Sequence, residues 1–354
     1  MRNVTVGIDI GGTKVAGGLV TQKGRLLTSK VVPTLANDGA RTSFLQVRCL
    51  IERLVHEAGG KEKVVGIGLC APGELDPKTG YVINAPNLPG WERLRLAYEV
   101  ERIFDLPARV ENDANAAGLA EVLFGSARGF RDVFYVTVST GIGTGIIIDR
   151  KIYHGARGVA GEGGHVSIDF RSPYRCGCGT VGCIEALASG PAMARRARVR
   201  LVRDYTMPSL LRTMTRGRLD LISPEMIAEA AKKGDAIAQD ILDETGFYLG
   251  AWLGSMITLL DPGAIVMGGG VACIGKPLFD KIRETIGSYT LDPAAAAKIP
   301  LLPASLRQNV GVYGAASLFL PAGPELNGAG REGAARTRLS NGRHLKAVSA
   351  LKTS

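Results

Sequence analysis

One local pattern occurs twice in this chain, and it limits the folds that the chain can adopt. Residues 4–20 read VTVGIDIGGTKVAGGLV and residues 133–149 read VFYVTVSTGIGTGIIID. Each segment is an apolar strand, a Gly/Thr turn and a second apolar strand, and each continues into further strand, at residues 24–32 and 151–153. Together with the helices and strands that follow, the pattern predicts two βββαβα-like units, an internal duplication and an α/β protein of two lobes.

The rest of the sequence predicts the elements between and after these units. Asn112 or Asp113 stands where a helix N-cap is expected, and Gly125 where that helix would end. The predicted elements are a helix at 42–57, a strand at 64–69, a Gly/Pro loop at 71–90, a strand at 108–110, helices at 114–124 and 186–202, two helices within 223–260, a strand at 264–267 and a final helix at 312–320.

We expect three regions along the chain. A small α/β lobe covers residues 1–113 and is completed by a C-terminal helix near 306–321. A large α/β lobe with a metal site covers residues 114–305. Residues 322–354 are rich in Gly, Ala, Arg and Ser, and we interpret them as a disordered basic tail.

The positive charge of the chain lies mainly in two segments. The net charge is +10; residues 195–218 hold eight arginines against Asp204, and residues 323–354 hold six Lys/Arg against two Glu. The remainder is close to neutral, so the charge does not describe the folded body. A basic tail more often aids solubility or weak anion contacts than specific recognition, and no nucleic-acid module accompanies it. The sequence therefore predicts no specific nucleic-acid partner.

The distribution of apolar residues and cysteines predicts the compartment. No segment approaches the roughly 18 apolar residues that a membrane span requires, and the N-terminus has no apolar signal-peptide region. Cys49, Cys70 and Cys273 are scattered without a disulfide framework, which is typical of a reducing environment. We expect a soluble, cytoplasmic protein without a membrane partner.

A histidine and three cysteines occur within twenty residues. EGGH at 162–165 is followed by CGCGTVGCIE at 176–185. The donors His165, Cys176, Cys178 and Cys183 suit tetrahedral Zn²⁺, and a closed set of four ligands indicates a structural ion. Glycines at 177, 179 and 182 permit tight backbone curvature. The alternative is a loop of ordinary reduced cysteines, but the spacing favours the metal.

The two Gly/Thr turns are candidate phosphate-binding loops. Bare glycine amides and threonine hydroxyls can approach phosphate oxygens closely, and Lys14 adds a positive charge. Asp9, at the end of a strand, suits Mg²⁺ through its water shell. The turns are Asp9-Ile10-Gly11-Gly12-Thr13-Lys14 and Ser139-Thr140-Gly141-Ile142-Gly143-Thr144-Gly145. Either turn alone is a weak signal, whereas two copies in a duplicated frame strengthen the prediction.

Asp113 is the candidate general base. A carboxylate at a cleft beside the start of a helix can accept a hydroxyl proton while the oxygen attacks phosphorus. The alternative is that Asp113 only caps its helix. Asn112, Glu162 and Glu185 complete a set of carboxylates and amides of the kind that binds polyols, and His165 can offer its second ring nitrogen to a ligand.

Taken together, these motifs resemble the ROK family of bacterial sugar kinases and repressors, within the actin-like ATPase superfamily. The resemblance implies a two-lobed, ribonuclease H-like fold with a cleft between the lobes. The matching segments are 9–14, Ala71-Pro72-Gly73, NLPGW at 87–91, ENDANAA at 111–117, 139–145, 155–165, 176–185 and 268–271. The resemblance runs from about residue 4 to residue 320.

The resemblance also implies the role of each matching residue. Asp113 corresponds to the base that takes the proton from a hexose 6-hydroxyl. The sugar-binding positions are Gly73, Asn87, Asn112, Asp113, Glu162, His165 and Glu185. The ATP and Mg²⁺ positions are Asp9, Gly11, Gly12, Thr13, Lys14, Thr140, Gly141 and Gly143, with Gly268, Gly269 and Gly270 on the adenosine side. The zinc ligands are His165, Cys176, Cys178 and Cys183.

The resemblance predicts an ATP- and Mg²⁺-dependent hexokinase-type enzyme with a structural Zn²⁺, acting on glucose and assembling as a homodimer or homotetramer. Fructose, mannose, N-acetylglucosamine and N-acetylmannosamine stay open as substrates, and polyphosphate stays open as a donor. A catalytically silent, sugar-responsive regulator is the alternative from another class. We expect the enzyme, because Asp113 has no function in a simple receptor and because the first Gly/Thr turn begins near residue 9, leaving no preceding DNA-binding domain.

Overall fold

In the computed structural model, which describes residues 3–320, two five-stranded sheets form the framework. The strands of this region are, in chain order, β1 Val4–Ile10, β2 Lys14–Thr21, β3 Leu26–Pro33, β4 Val64–Ala71, β5 Glu74–Asp76, β6 Tyr81–Asn84, β7 Ala108–Asn112, β8 Val133–Val138, β9 Ile142–Ile148, β10 Lys151–Ile152, β11 Ala264–Gly268 and β12 Leu301–Pro303. Its α-helices are α1 Ala40–Glu57, α2 Leu96–Phe104, α3 Asp113–Leu123, α4 Ile184–Ala188, α5 Gly190–Arg203, α6 Leu210–Met214, α7 Pro224–Lys232, α8 Ala236–Leu260, α9 Lys276–Ile286, α10 Pro293–Ala296 and α11 Val310–Ser317.

The two large sheets have the same topology. The first has the strand order β3-β2-β1-β4-β7 and the second has the order β10-β9-β8-β11-β12. In each sheet the three strands of the repeated pattern pair antiparallel, and the two later strands add in parallel. A parallel strand needs a crossover, and helices supply all four crossovers, two in each sheet. The predicted α/β class and internal duplication are therefore confirmed.

Each sheet is covered by helices that bury aromatic side chains. Trp91 is fully buried against the first sheet, and its indole Nε1 donates a 2.7 Å hydrogen bond to Ser43 Oγ on α1. Trp252 of α8 packs edge-on against Phe134 of β8, with ring centroids 5.7 Å apart. Aromatic pairs in this geometry add about 0.5–1.5 kcal/mol beyond the burial of their surface.

Helix α11 returns from the second sheet and docks on the first. A Cβ atom at Gly7 would lie 2.2 Å from the carbonyl oxygen of Val312, and one at Gly68 would lie 1.8 Å from that of Ala315. Neither position has room for a side chain, so the helix backbone lies directly on β1 and β4. Val312 also joins a small apolar cluster with Ala16 of β2.

Helix α3 lies between α11 and the second sheet. A Cβ atom at Gly118 would contact Tyr135 of β8, and one at Gly314 of α11 would lie 2.7 Å from the backbone of Ala116. At the end of α3 the fully buried Glu121 accepts hydrogen bonds from the backbone amides of Ser126, Ser305 and Leu306. The segment that leads into α11 is thus tied to α3.

Several predicted elements differ from the structure. The single helix predicted at 186–202 is wrong, because Ser189 is extended and separates α4 from α5, whose first turn contains Pro191. The predicted loop at 71–90 contains the hairpin β5–β6, with Leu75 and Val82 buried. Gly125 does not adopt the left-handed conformation expected of a helix terminator; instead its lack of a Cβ makes room for the carboxylate of Glu121.

The basic segment at 195–218 is largely engaged within the protein. Arg196 is buried and pairs with Glu244, Arg200 pairs with Asp240, and Arg203 pairs with Asp204. Arg195 lies over the ring of Tyr174 and Arg212 donates to backbone carbonyls. Most of the arginines in this segment therefore have partners within the protein.

No helix within residues 3–320 is long and apolar enough to cross a membrane. The prediction of a disordered tail at 322–354 falls outside the residues that the structure describes.

Candidate active site

A cavity of about 920 Å³ opens between the ends of β7, β8 and β9 and the cysteine-rich loop. Its walls include every position that was predicted to bind sugar and part of the second Gly/Thr turn. The lining residues with polar side chains are Glu74, Asn84, Asn87, Asn112, Asp113, Thr137, Ser139, Thr140, Glu162, His165, Cys178 and Glu185, and the lining glycines are Gly73, Gly141, Gly143 and Gly177. Residues from distant parts of the sequence therefore meet around one space large enough for a sugar.

Asn112 and Asp113 enter the cavity because β7 passes directly into α3. Asn112 Oδ1 accepts hydrogen bonds from the amides of Ala114 at 2.9 Å and Asn115 at 3.3 Å, which makes Asn112 the N-cap of the helix. The other end of the Asn112 amide donates to the Gly73 carbonyl at 3.3 Å. The Asn112 side chain is thus held by its own fold, and Asp113 follows at the first helical position.

The surroundings of Asp113 change its acidity. The residue is accessible from the cavity, yet the protein atoms around its carboxyl group disfavour the charged form. This desolvation, together with the negative charge of Asp9, raises the pKa of Asp113 to about 6. A carboxylate with this pKa is mostly ionised at neutral pH and is a stronger base than an ordinary aspartate. The role of helix cap belongs to Asn112, so Asp113 remains available for chemistry.

The second Gly/Thr turn is tied to the cavity wall through Glu185. Glu185 Oε2 accepts a 2.9 Å hydrogen bond from the amide of Ile142, and a Cβ atom at Gly141 would lie 2.5 Å from the same oxygen. Glu185 Oε1 lies 3.4 Å from Cys176 Sγ. This carboxylate therefore connects the turn to the cysteine cluster, a structural role that the sequence did not predict for it.

The first Gly/Thr turn approaches the cavity through Asn87. A Cβ atom at Gly12 would lie 2.8 Å from the carbonyl oxygen of Asn87, so only glycine permits this contact. The turn is closed by the Gly11 amide, which donates to the Lys14 carbonyl at 3.0 Å, and Thr34 Oγ1 donates to the Gly11 carbonyl at 2.6 Å. Of the predicted ATP and Mg²⁺ positions, those that do not line the cavity are Asp9, Gly11, Gly12, Thr13, Lys14, Gly268, Gly269 and Gly270.

Burial changes the pKa of Asp9 as well. Desolvation raises the pKa of this carboxyl group, and the charge of Lys14 opposes the shift. Gly311 on α11 leaves room for the Asp9 side chain, since a Cβ atom there would lie 2.1 Å from Asp9 Oδ2. The negative charge of Asp9 in turn contributes to the raised pKa of Asp113.

A smaller cavity of about 380 Å³ adjoins the second turn. Ser139 and Thr140 line both cavities, and Gly270 lines the smaller one together with Arg198 and Pro224. Gly269 has φ +87°, and a Cβ atom there would lie 2.3 Å from the carbonyl oxygen of Val138. Among the three glycines predicted to face the adenosine, Gly270 is the one that lines this cavity.

The predicted metal ligands come together. One donor atom from each of His165, Cys176, Cys178 and Cys183 lies within 4.8 Å of the others. Cys178 Sγ and Cys183 Sγ are 3.7 Å apart, and Cys176 Sγ is 3.5 Å from His165 Nδ1. Zinc with bonds of about 2.3 Å to sulfur and about 2.0 Å to nitrogen places tetrahedral donors about 3.5–3.8 Å apart. These two contacts fit that geometry.

The cysteine cluster directs His165 towards the cavity. His165 Nδ1 faces Cys176, while Nε2 lies 4.0 Å from Glu162 Oε2 on the cavity side. Gly182 has φ +70°, and a Cβ atom there would lie 1.8 Å from the carbonyl oxygen of Asp169. Gly179 also has positive φ, whereas Gly177 does not. Two of the three glycines thus adopt the left-handed backbone conformation that favours glycine in a tight loop.

Three charged residues near the cavity were not predicted as site residues. Glu74 follows Gly73 on β5 and lines the cavity opposite Glu162. Glu111 and His154 form a 2.7 Å ion pair beside Asn112. Glu111 could have been singled out because it stands within the ENDANAA motif. The sequence gives no indication that His154 is its partner.

Comparison with known proteins agrees with these observations. The sequence model of the ROK family matches residues 5–322. A glucokinase of Streptomyces coelicolor is 35% identical over 315 residues, which cover 89% of this chain and 97% of the relative. The crystal structure of a ROK family glucokinase from Streptomyces griseus in complex with glucose and AMPPNP has a TM-score of 0.75 and 36% identity, covering 89% of this chain and 98% of that one. A xylose repressor of Bacillus spizizenii is 28% identical over 316 residues, which cover 89% of this chain and 77% of the repressor.

Proposed function

Because the chain belongs to the ROK family and has the actin-like ATPase fold of its sugar kinases, we propose that it transfers the γ-phosphoryl group of ATP to the 6-hydroxyl of a hexose, with glucose as the preferred acceptor. The observation that carries the proposal is the 920 Å³ cavity, where Asp113 and the polar sugar-binding set face the second Gly/Thr turn. The similarity to glucokinases supports glucose among the hexoses.

Asp113 acts as the general base. Its carboxylate accepts the proton of the 6-hydroxyl while the hydroxyl oxygen forms a bond to the γ-phosphorus and the bond to the ADP oxygen breaks. The raised pKa favours this role, because the carboxylate remains largely ionised at neutral pH while its basicity is increased.

The sugar hydroxyls are held by the fixed polar groups of the wall. Asn112 is oriented by the start of α3, and Glu162 and His165 stand together across the cavity. Glu185 has one oxygen engaged by the Ile142 amide and one directed to the cysteine cluster, so it supports the wall as well as contacting the sugar. Gly73 and Asn87 complete the set.

The two Gly/Thr turns bind the phosphates of ATP, and Gly270 and Thr140 border the adenosine side in the smaller cavity. Asp9 has a carboxylate suited to Mg²⁺ through coordinated water, and Mg²⁺ would neutralise charge on the phosphates. Closure of the lobes, with the predicted limits at 1–113 and 114–305, would keep water away from the γ-phosphate.

His165, Cys176, Cys178 and Cys183 hold a structural Zn²⁺. The donor distances support this proposal, and a closed set of four ligands leaves no position for substrate. The ion would fix the loop that presents Glu162 and His165. Its contribution is to the shape of the pocket.

A sugar-responsive regulator is the second candidate, and the similarity to xylose repressors supports it. A regulator of this kind would bind sugar in the same cavity without turnover. Other hexoses as acceptors, polyphosphate as donor, and assembly into a homodimer or homotetramer also stay open.

The test is release of ADP by the purified full-length chain over a panel of glucose, fructose, mannose, N-acetylglucosamine, N-acetylmannosamine and xylose. ATP and polyphosphate are compared as donors, with product identified as the 6-phosphate. Rapid turnover with glucose and ATP is the expected result. Sugar binding by calorimetry without ADP release from any member of the panel would favour the regulator and overturn the enzyme.

A further inference from the structure

Glu111 is a buried carboxylate for which the proposed chemistry has no use. Its side chain is 4% exposed, and both of its oxygens are engaged. Oε1 accepts hydrogen bonds from the backbone amide of Asn112 at 2.9 Å and from Asn115 Nδ2 at 3.1 Å, while Oε2 is 2.7 Å from His154 Nε2. A buried charge without partners is costly, so these three contacts together decide how Glu111 and the neighbouring Asn112 lie.

His154 belongs to the loop that supplies the other wall of the cavity, although its own side chain does not line that cavity. It follows β10, at the start of the loop that carries Glu162 and His165. Its backbone carbonyl accepts a 3.1 Å hydrogen bond from the amide of Ala160, which closes the first part of this loop two residues before Glu162. The side chain of His154 therefore holds the β7–α3 junction, and its backbone holds the loop.

The residues around Glu162 are fixed on their other side by β9. Thr144 Oγ1 donates to the carbonyl of Gly161 and accepts a 2.9 Å hydrogen bond from the amide of Gly163. A Cβ atom at Gly161 would lie 3.1 Å from Asn115 Oδ1. Glu162 thus stands between two residues anchored to β9, on a loop that His154 also ties to Glu111.

We infer that the Glu111–His154 pair is a positioning tie, which fixes the distance between Asn112 and Asp113 on one wall of the sugar site and Glu162 on the other. This inference rests on the proposed function, because it concerns the same sugar site. The two residues are 43 positions apart and join elements that the internal duplication places in different halves of the chain. Neither residue need touch the substrate.

The electrostatic surroundings of the pair support a charged tie. The Glu111 carboxylate raises the pKa of His154, and partial burial and the charge of Lys78 oppose the shift. On its outer side His154 lines a separate cavity of about 790 Å³, together with Glu101, Arg109, Arg150 and Lys151. Because this cavity is not the sugar site, changes at His154 can be made without placing new atoms against the substrate.

The experiment compares three substitutions in the full-length protein. His154→Leu keeps the volume of the ring but cannot donate to Glu111, whereas His154→Gln keeps a donor at similar reach. His56→Ala, at an exposed position in the last turn of α1, is the matched control. Steady-state kinetics with glucose and ATP, calorimetric binding of glucose and thermal unfolding are measured for each.

For His154→Leu we expect kcat/KM for glucose to fall on the order of tenfold to hundredfold, with the KM for ATP changed by no more than about twofold, since small misplacements of positioning groups have effects of this size. His154→Gln should recover most of the loss, and His56→Ala should match the wild type. A general loss of folding would instead affect both substrates alike. A lower unfolding temperature alone does not indicate it, because His154→Leu also removes a partner of the buried Glu111 carboxylate.

Wild-type kinetics with glucose in His154→Leu, an equal effect on glucose and ATP, or equal losses in the Leu and Gln variants would each overturn the inference. If His154→Leu does not fold, His154→Ala, which removes the bond without adding bulk, takes its place under the same criteria. If the wild type shows no kinase activity, the proposed function is wrong but the inference is still testable. The Kd for glucose of each variant relative to that of the wild type then replaces kcat/KM as the deciding measurement. Absence of glucose binding in the wild type would overturn both.

Discussion

Replacing Asp113 with asparagine removes the proposed base while leaving its surroundings almost unchanged. The asparagine Oδ1 can keep the 2.8 Å hydrogen bond that Asp113 accepts from the Ala114 amide. Asn112 remains the N-cap of α3, so the helix start does not depend on the substitution. Since asparagine has nearly the same size and shape as aspartate, the difference between the two proteins is one ionisable group.

We expect kcat to fall by about 10²–10⁴-fold, because this is the usual contribution of a general base. At about 1.36 kcal/mol for each factor of ten, the loss corresponds to about 2.7–5.4 kcal/mol in the activation free energy. Glucose should still bind, because Asn112, Glu162 and His165 are untouched. Single-turnover product formation and calorimetry separate these two quantities.

The pH dependence gives an independent check. With a pKa of about 6, the reactive carboxylate of Asp113 is the minor species at pH 5 and the major species at pH 7. The kcat/KM of the wild type should therefore rise with a midpoint near pH 6 and then level off. Because the folded pKa lies above the unfolded value, the ionised carboxylate opposes folding above this midpoint, and Asp113→Asn should unfold at the same or a higher temperature than the wild type at pH 8.

The matched control is Asp240→Asn, at an exposed position on α8 that pairs with Arg200 at 3.3 Å. It should leave kcat and its pH profile unchanged, since exposed ion pairs contribute little. The assignment would be refuted if Asp113→Asn kept a turnover within about threefold of the wild type, because a general base contributes far more than that. A flat kcat/KM profile between pH 5 and pH 8 would refute it as well.

Two further predictions concern the metal site and the first Gly/Thr turn. Cys178→Ser should lower the zinc found by elemental analysis from about one ion per chain to near zero, and should lower the unfolding temperature, because metal binding is coupled to folding. The control Cys273→Ser, at an exposed cysteine, should keep the zinc content and the unfolding temperature of the wild type. A wild type without zinc would contradict the site. Gly12→Ala should destabilise the fold by about 1–3 kcal/mol and raise the KM for ATP, because the new methyl group would lie 2.8 Å from the Asn87 carbonyl. Gly129→Ala, where no atom lies within 4 Å of the added Cβ, is the control in urea unfolding, and equal midpoints for the two variants would contradict the close contact.

The framework of the fold could be predicted because its signal is local. The repeated hairpins consist of neighbouring strands joined by short turns, so β1–β2 and β8–β9 follow from apolar runs and a Gly/Thr turn. The break at Ser189 had a signal in the Ser189-Gly190-Pro191 sequence, because proline is accepted in the first turn of a helix and not in its interior. The prediction of one helix gave more weight to the apolar residues on both sides. The hairpin β5–β6 was obscured by the Gly and Pro residues that surround it.

The site was predictable in its residue types but not in its connections. The spacing of His165 and the three cysteines indicated a cluster, and the structure brings their donor atoms together. Contacts between distant segments, such as that of Glu111 with His154, leave no periodic trace in the sequence. Glu185 illustrates the same limit, since its bond to the Ile142 amide depends on two loops meeting.

The docking of α11 on β1 and β4 has a consequence for how the chain folds during synthesis. The strands of the first sheet are complete at Asn112, but the helix that covers them begins at Val310, about 200 residues later. At about 5–20 residues per second, a ribosome would need roughly 10–40 s to supply it. During that interval the strip around Gly7 and Gly68 is uncovered, so the first third of the nascent chain depends on protection from aggregation until α11 has been synthesised.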